Sequence, residues 1–270
     1  MPVCTRVALM GVTRYEFLMQ ARRWVMWLPI LASAALMLTF VSGERVNYYS
    51  AFTPAETVGT FALLFNFLTP LACGLVVADR LARDRRLHVD DLLQSLPNSA
   101  RPRIYGKALG AGVATILPWF LIEMLGFSLL ASAKQNSGVF LLGMGAFLTI
   151  NLPAFVFTLA ISLVVPLLLW LPLYQVAFVA FWFWVGLDPS RIVSISSSVL
   201  SPTGGYAAAG LFNGQGGYAG LAYALLRLGP LAPPPSLGSG TVSIFIILVI
   251  AVGVLEVGVS LLRAGQRWAS

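Results

Sequence analysis

Residues 79–107 read DRLARDRRLHVDDLLQSLPNSARPRIYGK, a charged island between two long apolar runs. The island carries seven of the seventeen Lys and Arg residues of the chain. Within it, Leu92, Leu93 and Leu96 fall on one face of a helix at i, i+1 and i+4, bounded by Asp90, Asp91 and Gln94, and Pro97 stops the helix. A loop that only fixed topology would have no use for a leucine face fenced by acids, whereas a helix laid into a partner's groove would. The apolar runs on either side decide the fold class.

The 270-residue chain is 58% hydrophobic and only 10% charged, with a mean hydropathy of +0.85. Soluble domains carry about 25% charged residues. Apolar stretches repeatedly reach the roughly 20 residues that cross about 30 Å of hydrocarbon, and none shows the alternating ten-residue pattern of a barrel strand. The sequence therefore predicts an all-α polytopic membrane protein forming one domain over 1–270. Spans are expected at about 24–42, 56–78, 106–131, 139–170, 173–187 and 241–262. Pro118 is expected to kink the third.

The run 139–170 is too long for a straight crossing, since 32 helical residues reach about 48 Å. Pro153 and Pro166 are expected to bend it. An amphipathic helix over 4–23 is expected in the membrane surface, with polar Arg6, Thr13, Glu16, Gln20 and Arg23 opposite apolar Val7, Met10, Phe17, Leu18 and Ala21. Trp24, Trp27 and the group Trp182, Phe183, Trp184 suit membrane interfaces. Residues 188–240 read as a polar external loop, within which 218–228 could form a short helix.

The net charge of +7 comes with no nucleic-acid motif, and topology explains where it lies. Arg6, Arg14, Arg22 and Arg23, the seven island residues, and Arg263 and Arg267 fall on one side of a six-span plan. Only Arg45, Lys134, Arg191 and Arg227 fall on the other, which predicts that both termini face the cytoplasm. The 23-residue lead before Trp24 is too long for a signal peptide's charged region, so the N-terminus is expected to be retained. Cys4 and Cys73 are too far apart in setting to suggest a disulfide framework. His88, the only histidine, stands beside Asp90 and Asp91, far short of a metal site.

The block ADRLARDRRLHVDDLLQSLPNSARPRIYGKALGA, the N-terminal RYEFLMQARRW and the six-span plan with a long loop before the last span resemble permease subunits of the ABC-2 family of ATP-binding-cassette exporters. The resemblance spans the chain in layout, but specific residues match only over about 14–27 and 78–111. It departs at Asp90-Asp91 and at Asn98. It implies a coupling segment over 79–105, in which Asp90, Asp91, Leu92, Leu93, Ser95 and Leu96 contact a cytoplasmic ATPase subunit while Tyr15 and Glu16 brace it from the side. It also implies a second permease copy or a homologous permease, an inner membrane with its lipids, and ATP and magnesium bound by the partner rather than this chain. Gly106-Lys107 is followed by Ala108 and lacks the earlier glycine of a phosphate-binding loop.

Glu123 and Glu256 fall within spans, where each could touch substrate or protons, or sit as a carboxyl hydrogen-bonded to a neighbouring helix without a cation. Gly106-x-x-x-Gly110 permits close helix packing. A stand-alone secondary transporter or channel is the main rival, and an ATPase-linked subunit doing mechanical or regulatory work is another. An intramembrane enzyme would need H-E-x-x-H, G-x-S-x-G or a carboxylate or histidine cluster, all missing from the sequence.

Overall fold

The computed structural model describes residues 2–41, 52–81, 100–186, 195, 198–213 and 235–268. Every regular element among them is helical. In chain order these are α1 (Pro2–Ala21), α2 (Trp24–Val41), α3 (Pro54–Val77), α4 (Ala100–Ala133), α5 (Gly138–Ala146), α6 (Leu152–Val164), α7 (Leu171–Gly186), α8 (Gly205–Phe212) and α9 (Leu237–Trp268). The segments Pro54–Leu81, Arg101–Ala133, Gly138–Leu167 and Leu237–Ala264 are long and apolar enough to cross a bilayer, whereas the apolar stretches Met26–Ala35 and Leu171–Gly186 are shorter. The chain is a helical membrane protein.

Local chemistry sets the helix ends. Thr53 starts α3 with a reciprocal cap: its hydroxyl accepts from the Glu56 amide at 3.3 Å, and its own amide donates to the Glu56 carboxylate at 2.9 Å. Lys134, just beyond α4, donates to the Phe52 carbonyl and the Thr57 hydroxyl, so the ends of α3 and α4 are tied together. α4 runs unbroken through Pro118.

The long apolar run beginning at 139 is interrupted at both of its prolines, just before the first and around the second. A π-helical turn, Phe147–Asn151, precedes Pro153, and a 3-10 turn, Val165–Leu167, contains Pro166. Pro153 has no N–H to give the preceding turn, and the wider π turn relieves the clash its ring would make. Asn66 of α3 donates to the Ile150 carbonyl at 3.4 Å and to the Thr203 carbonyl at 2.6 Å. Gly204 closes this contact with φ of +74°, and a side chain there would strike Ile150 and Asn66.

The same contact packs the described part of the 188–240 stretch, residues 198–213, against the helices. Ser198, Ser201 and Tyr206 are fully buried, and α8 packs its alanines against α9 and α3. An eight-residue apolar helix is too short to register as a span, and the Ser, Gly and Pro around it disguise it. Trp182 is likewise no interface residue: it is fully buried and donates to the Phe67 carbonyl at 2.6 Å, while Phe183 and Trp184 are exposed. One core cluster lies along α3, where Phe61 meets Phe65 and Phe127 of α4 and where Phe147 of the π turn joins through Phe120, and another joins α4, α6 and α9.

α1 lies in near backbone contact with α4. A Cβ added at Gly106 would meet Val12 at 2.7 Å, and one at Gly110 would meet the Thr13 carbonyl and Glu16 Cβ. Gly106-x-x-x-Gly110 is thus the seat of α1. Gly110→Ala should destabilise the protein by about 1–3 kcal/mol, the range for overpacking. Gly253→Ala, which meets nothing within 4 Å, should be near neutral. Thermal unfolding of the two variants in the same detergent checks the contrast.

Candidate functional site

The residues expected to meet an ATPase divide between two places. Asp90, Asp91, Leu92, Leu93, Ser95 and Leu96 lie outside the described residues, as do His88 and 218–228. Their attachment points are described: Leu81 at the end of the first crossing helix and Ala100 at the start of α4. The site is therefore built from what surrounds those two ends.

Glu16 occupies its centre. Only 2% of this residue is exposed, although it was read as the polar face of a surface helix. Arg80, one residue before Leu81, donates to one Glu16 oxygen at 3.4 Å, and the Lys107 ammonium donates to the other. Both cations are buried as well, at 2% and 5% exposure. Arg80 also donates to the Gln20 side-chain oxygen, and Gln20 Nε2 reaches the Thr115 hydroxyl at 3.5 Å. One carboxylate on α1 thus joins the helices on either side of the 82–99 segment. An unpaired charge buried this deeply would cost several kcal/mol, so the three groups stand or fall together.

A second ion pair lies beside the first. Arg23, in the turn between α1 and α2, donates to both Asp79 oxygens at 2.9 and 2.7 Å and to the Val76 carbonyl at 3.2 Å. This forked geometry suits arginine and carboxylate. Hydrogen bonding to Asp79 raises the Arg23 pKa above its ordinary value, outweighing burial, which acts to lower it.

The faces of α1 are accordingly reversed from the sequence expectation. Thr13, Glu16 and Gln20 turn toward the protein, while Met10 (76% exposed), Tyr15 (64%) and Leu18 turn away from it. Hydrophobic spacing predicts which residues share a face, but not that two buried cations, Arg80 just beyond α3 and Lys107 of α4, would claim the polar one. Tyr15 and Glu16 are adjacent in sequence and point to opposite sides.

The two carboxylates inside the crossing helices are each partnered. Glu123 of α4 is 3% exposed, and both of its oxygens accept from Asn151 Nδ2 at 2.7 Å. Asn151 ends the π turn, so this bond fixes α4 against the break. Glu256 of α9 was expected to lack a cation, and that reading is corrected. Arg101 donates to it at 3.1 Å and the Tyr105 hydroxyl at 2.9 Å, because α4 starts alongside α9 at this level. The structure does not bring Glu123 and Glu256 into one site. Among the described residues no group of three or more His, Cys, Asp or Glu could hold a metal.

No protein-family model matches this chain, and no curated protein matches it.

Two outcomes follow from the partners. Glu16→Gln removes the carboxylate shared by Arg80 and Lys107 and should cost on the order of 3 kcal/mol. Asp79→Asn, at a half-exposed pair, should cost clearly less. Chemical unfolding of both variants in nanodiscs gives the comparison. At the other site, Glu123→Gln should keep a partner for Asn151, whereas Glu123→Leu should strand its amide and cost about 1–3 kcal/mol. Matched thermal melts read the difference.

Proposed function

We propose that this chain is the membrane subunit of an ATP-driven exporter of the ABC-2 type. It crosses a bacterial-type inner membrane six times with both termini in the cytoplasm. It pairs with a second copy or a homologous permease above two separate ATPase subunits. In this reading ATP and magnesium are held by the partner, and the chain contributes no catalytic residue.

The observation that supports it most is the position of Glu16. The 82–99 segment carries the leucine face Leu92, Leu93 and Leu96, with Asp90, Asp91 and Ser95 beside it. Its two ends continue into α3 and α4, and Arg80 and Lys107 near those ends share the Glu16 carboxylate. A push on the segment from a closing motor enters both helices at once, and α1 moves with them. Glu16 braces the coupling segment from inside the bundle rather than offering its charge to the motor. The stand-alone transporter reading asks for charges along a path, and the local pairing of Glu123 with Asn151 and Glu256 with Arg101 serves it poorly.

The test is purification of the tagged chain from its native membrane with its partners attached. The expected result is a nucleotide-binding ATPase in the wild-type complex. A Leu92→Asp/Leu93→Asp variant should lose that ATPase while the membrane helices keep their thermal stability. A wild-type complex without an ATPase, or one whose ATPase survives both substitutions, would refute the proposal.

A further inference from the structure

α1 is an amphipathic helix worn inside out. Its one acid, Glu16, points into the protein, and its outward face is apolar and cationic. Met10, Arg14, Tyr15, Leu18 and Arg22 are all exposed and follow one another at helical spacing along that side. No acidic residue interrupts them. Trp24 comes next, 82% exposed, and α2 continues the exposed surface through Trp27, Leu28 and Leu31. The outward face of α1 is therefore continuous with the apolar outside of the helix that follows it.

Two features select the occupant of this face. The apolar side chains fit the acyl boundary of a bilayer, where tyrosine and tryptophan rings settle at headgroup level. Arg14 and Arg22 add two exposed cations on the same side, complementary to negatively charged headgroups. A soluble partner would leave unexplained the continuity with α2. A neutral bilayer would leave unexplained the absence, among the described residues, of any acid paired with these two arginines.

We infer that the outward face of α1 is a binding surface for anionic phospholipid, with Arg14 and Arg22 at the headgroups and Met10, Tyr15 and Leu18 at the acyl boundary. Glu16, held by Arg80 and Lys107, keeps this face presented by locking the opposite side to the protein. The inference needs no ATPase and stands apart from the exporter proposal. It does make the inner surface of the membrane part of the setting in which the 82–99 segment works, because the same helix touches both.

The experiment places an environment-sensitive fluorophore at Leu18→Cys in the full chain, with Cys4 and Cys73 replaced by serine. The protein is reconstituted in nanodiscs containing brominated phosphatidylcholine or, at equal mole fraction, brominated phosphatidylglycerol. Quenching by both lipids is expected, with phosphatidylglycerol preferred. Arg14→Gln/Arg22→Gln should weaken that preference by about 30-fold, given roughly 1 kcal/mol for each basic residue near an anionic surface. No quenching by either lipid would mean that water or a protein covers the face, and would overturn the inference. Equal quenching, or a preference that survives loss of both arginines, would overturn it too. Native mass spectrometry of the otherwise unmodified chain gives a second reading. Phosphatidylglycerol should stay bound to the wild type and be lost from the double arginine variant, and retention by both would count against the surface.

Discussion

A single carboxylate, Glu16, organises one end of this bundle. Taking a carboxylate out of water is costly, and in a buried pair the mutual attraction rarely exceeds the desolvation of both ions. Its main effect is therefore not excess stability. It is geometrical: only one placement of α1 lets Glu16 meet Arg80 and Lys107 together, so the ion cluster fixes the position and rotation of the helix. Gly106 and Gly110 make that placement possible by letting α1 approach α4 almost to backbone contact.

The consequences run in two directions from that point. Inward, α3 and α4 are tied at the level where the 82–99 segment leaves one and enters the other. Arg23 and Asp79 repeat the tie between the start of α2 and the end of α3. Outward, the rotation of α1 puts Tyr15, Leu18 and the arginines where a bilayer surface can meet them. Further along the bundle, the Asn66 and Glu123 contacts hold the π turn and the buried Thr203–Gly204 bend. Such polar contacts fix irregular backbone inside an apolar core, where an unsatisfied group costs most.

What could be read from the sequence follows from the range of each signal. Apolar runs of about 20 residues act locally, so the crossing helices beginning near Pro54, Arg101, Gly138 and Leu237 were legible to within a few residues. The start of α3 was also written in the chain as Thr53-x-x-Glu56, a capping pattern that the span reading passed over. Pro153 and Pro166 correctly marked a broken helix, but the π turn before Pro153 depends on Asn66 and on chain far away. α8 was missed because seven or eight apolar residues inside Ser- and Gly-rich sequence give no span signal. The pairing of Glu16 with residues 64 and 91 positions away leaves no local trace. Arg80 and Lys107 lie within the charged island, where nothing in the sequence separates them from the cations around them. Glu256 shows the same limit, since Arg101 is brought to it by packing alone.

The central claim is that Glu16, Arg80 and Lys107 act as one energetic unit. A double-mutant cycle between Glu16→Gln and Lys107→Met, followed by reversible unfolding in lipid nanodiscs, measures this directly. A coupling energy of at least about 1 kcal/mol, within the range for residues in one ionic network, is the expected result. Strict additivity of the two substitutions would mean that α1 is held by its apolar and glycine contacts alone, and would contradict the claim.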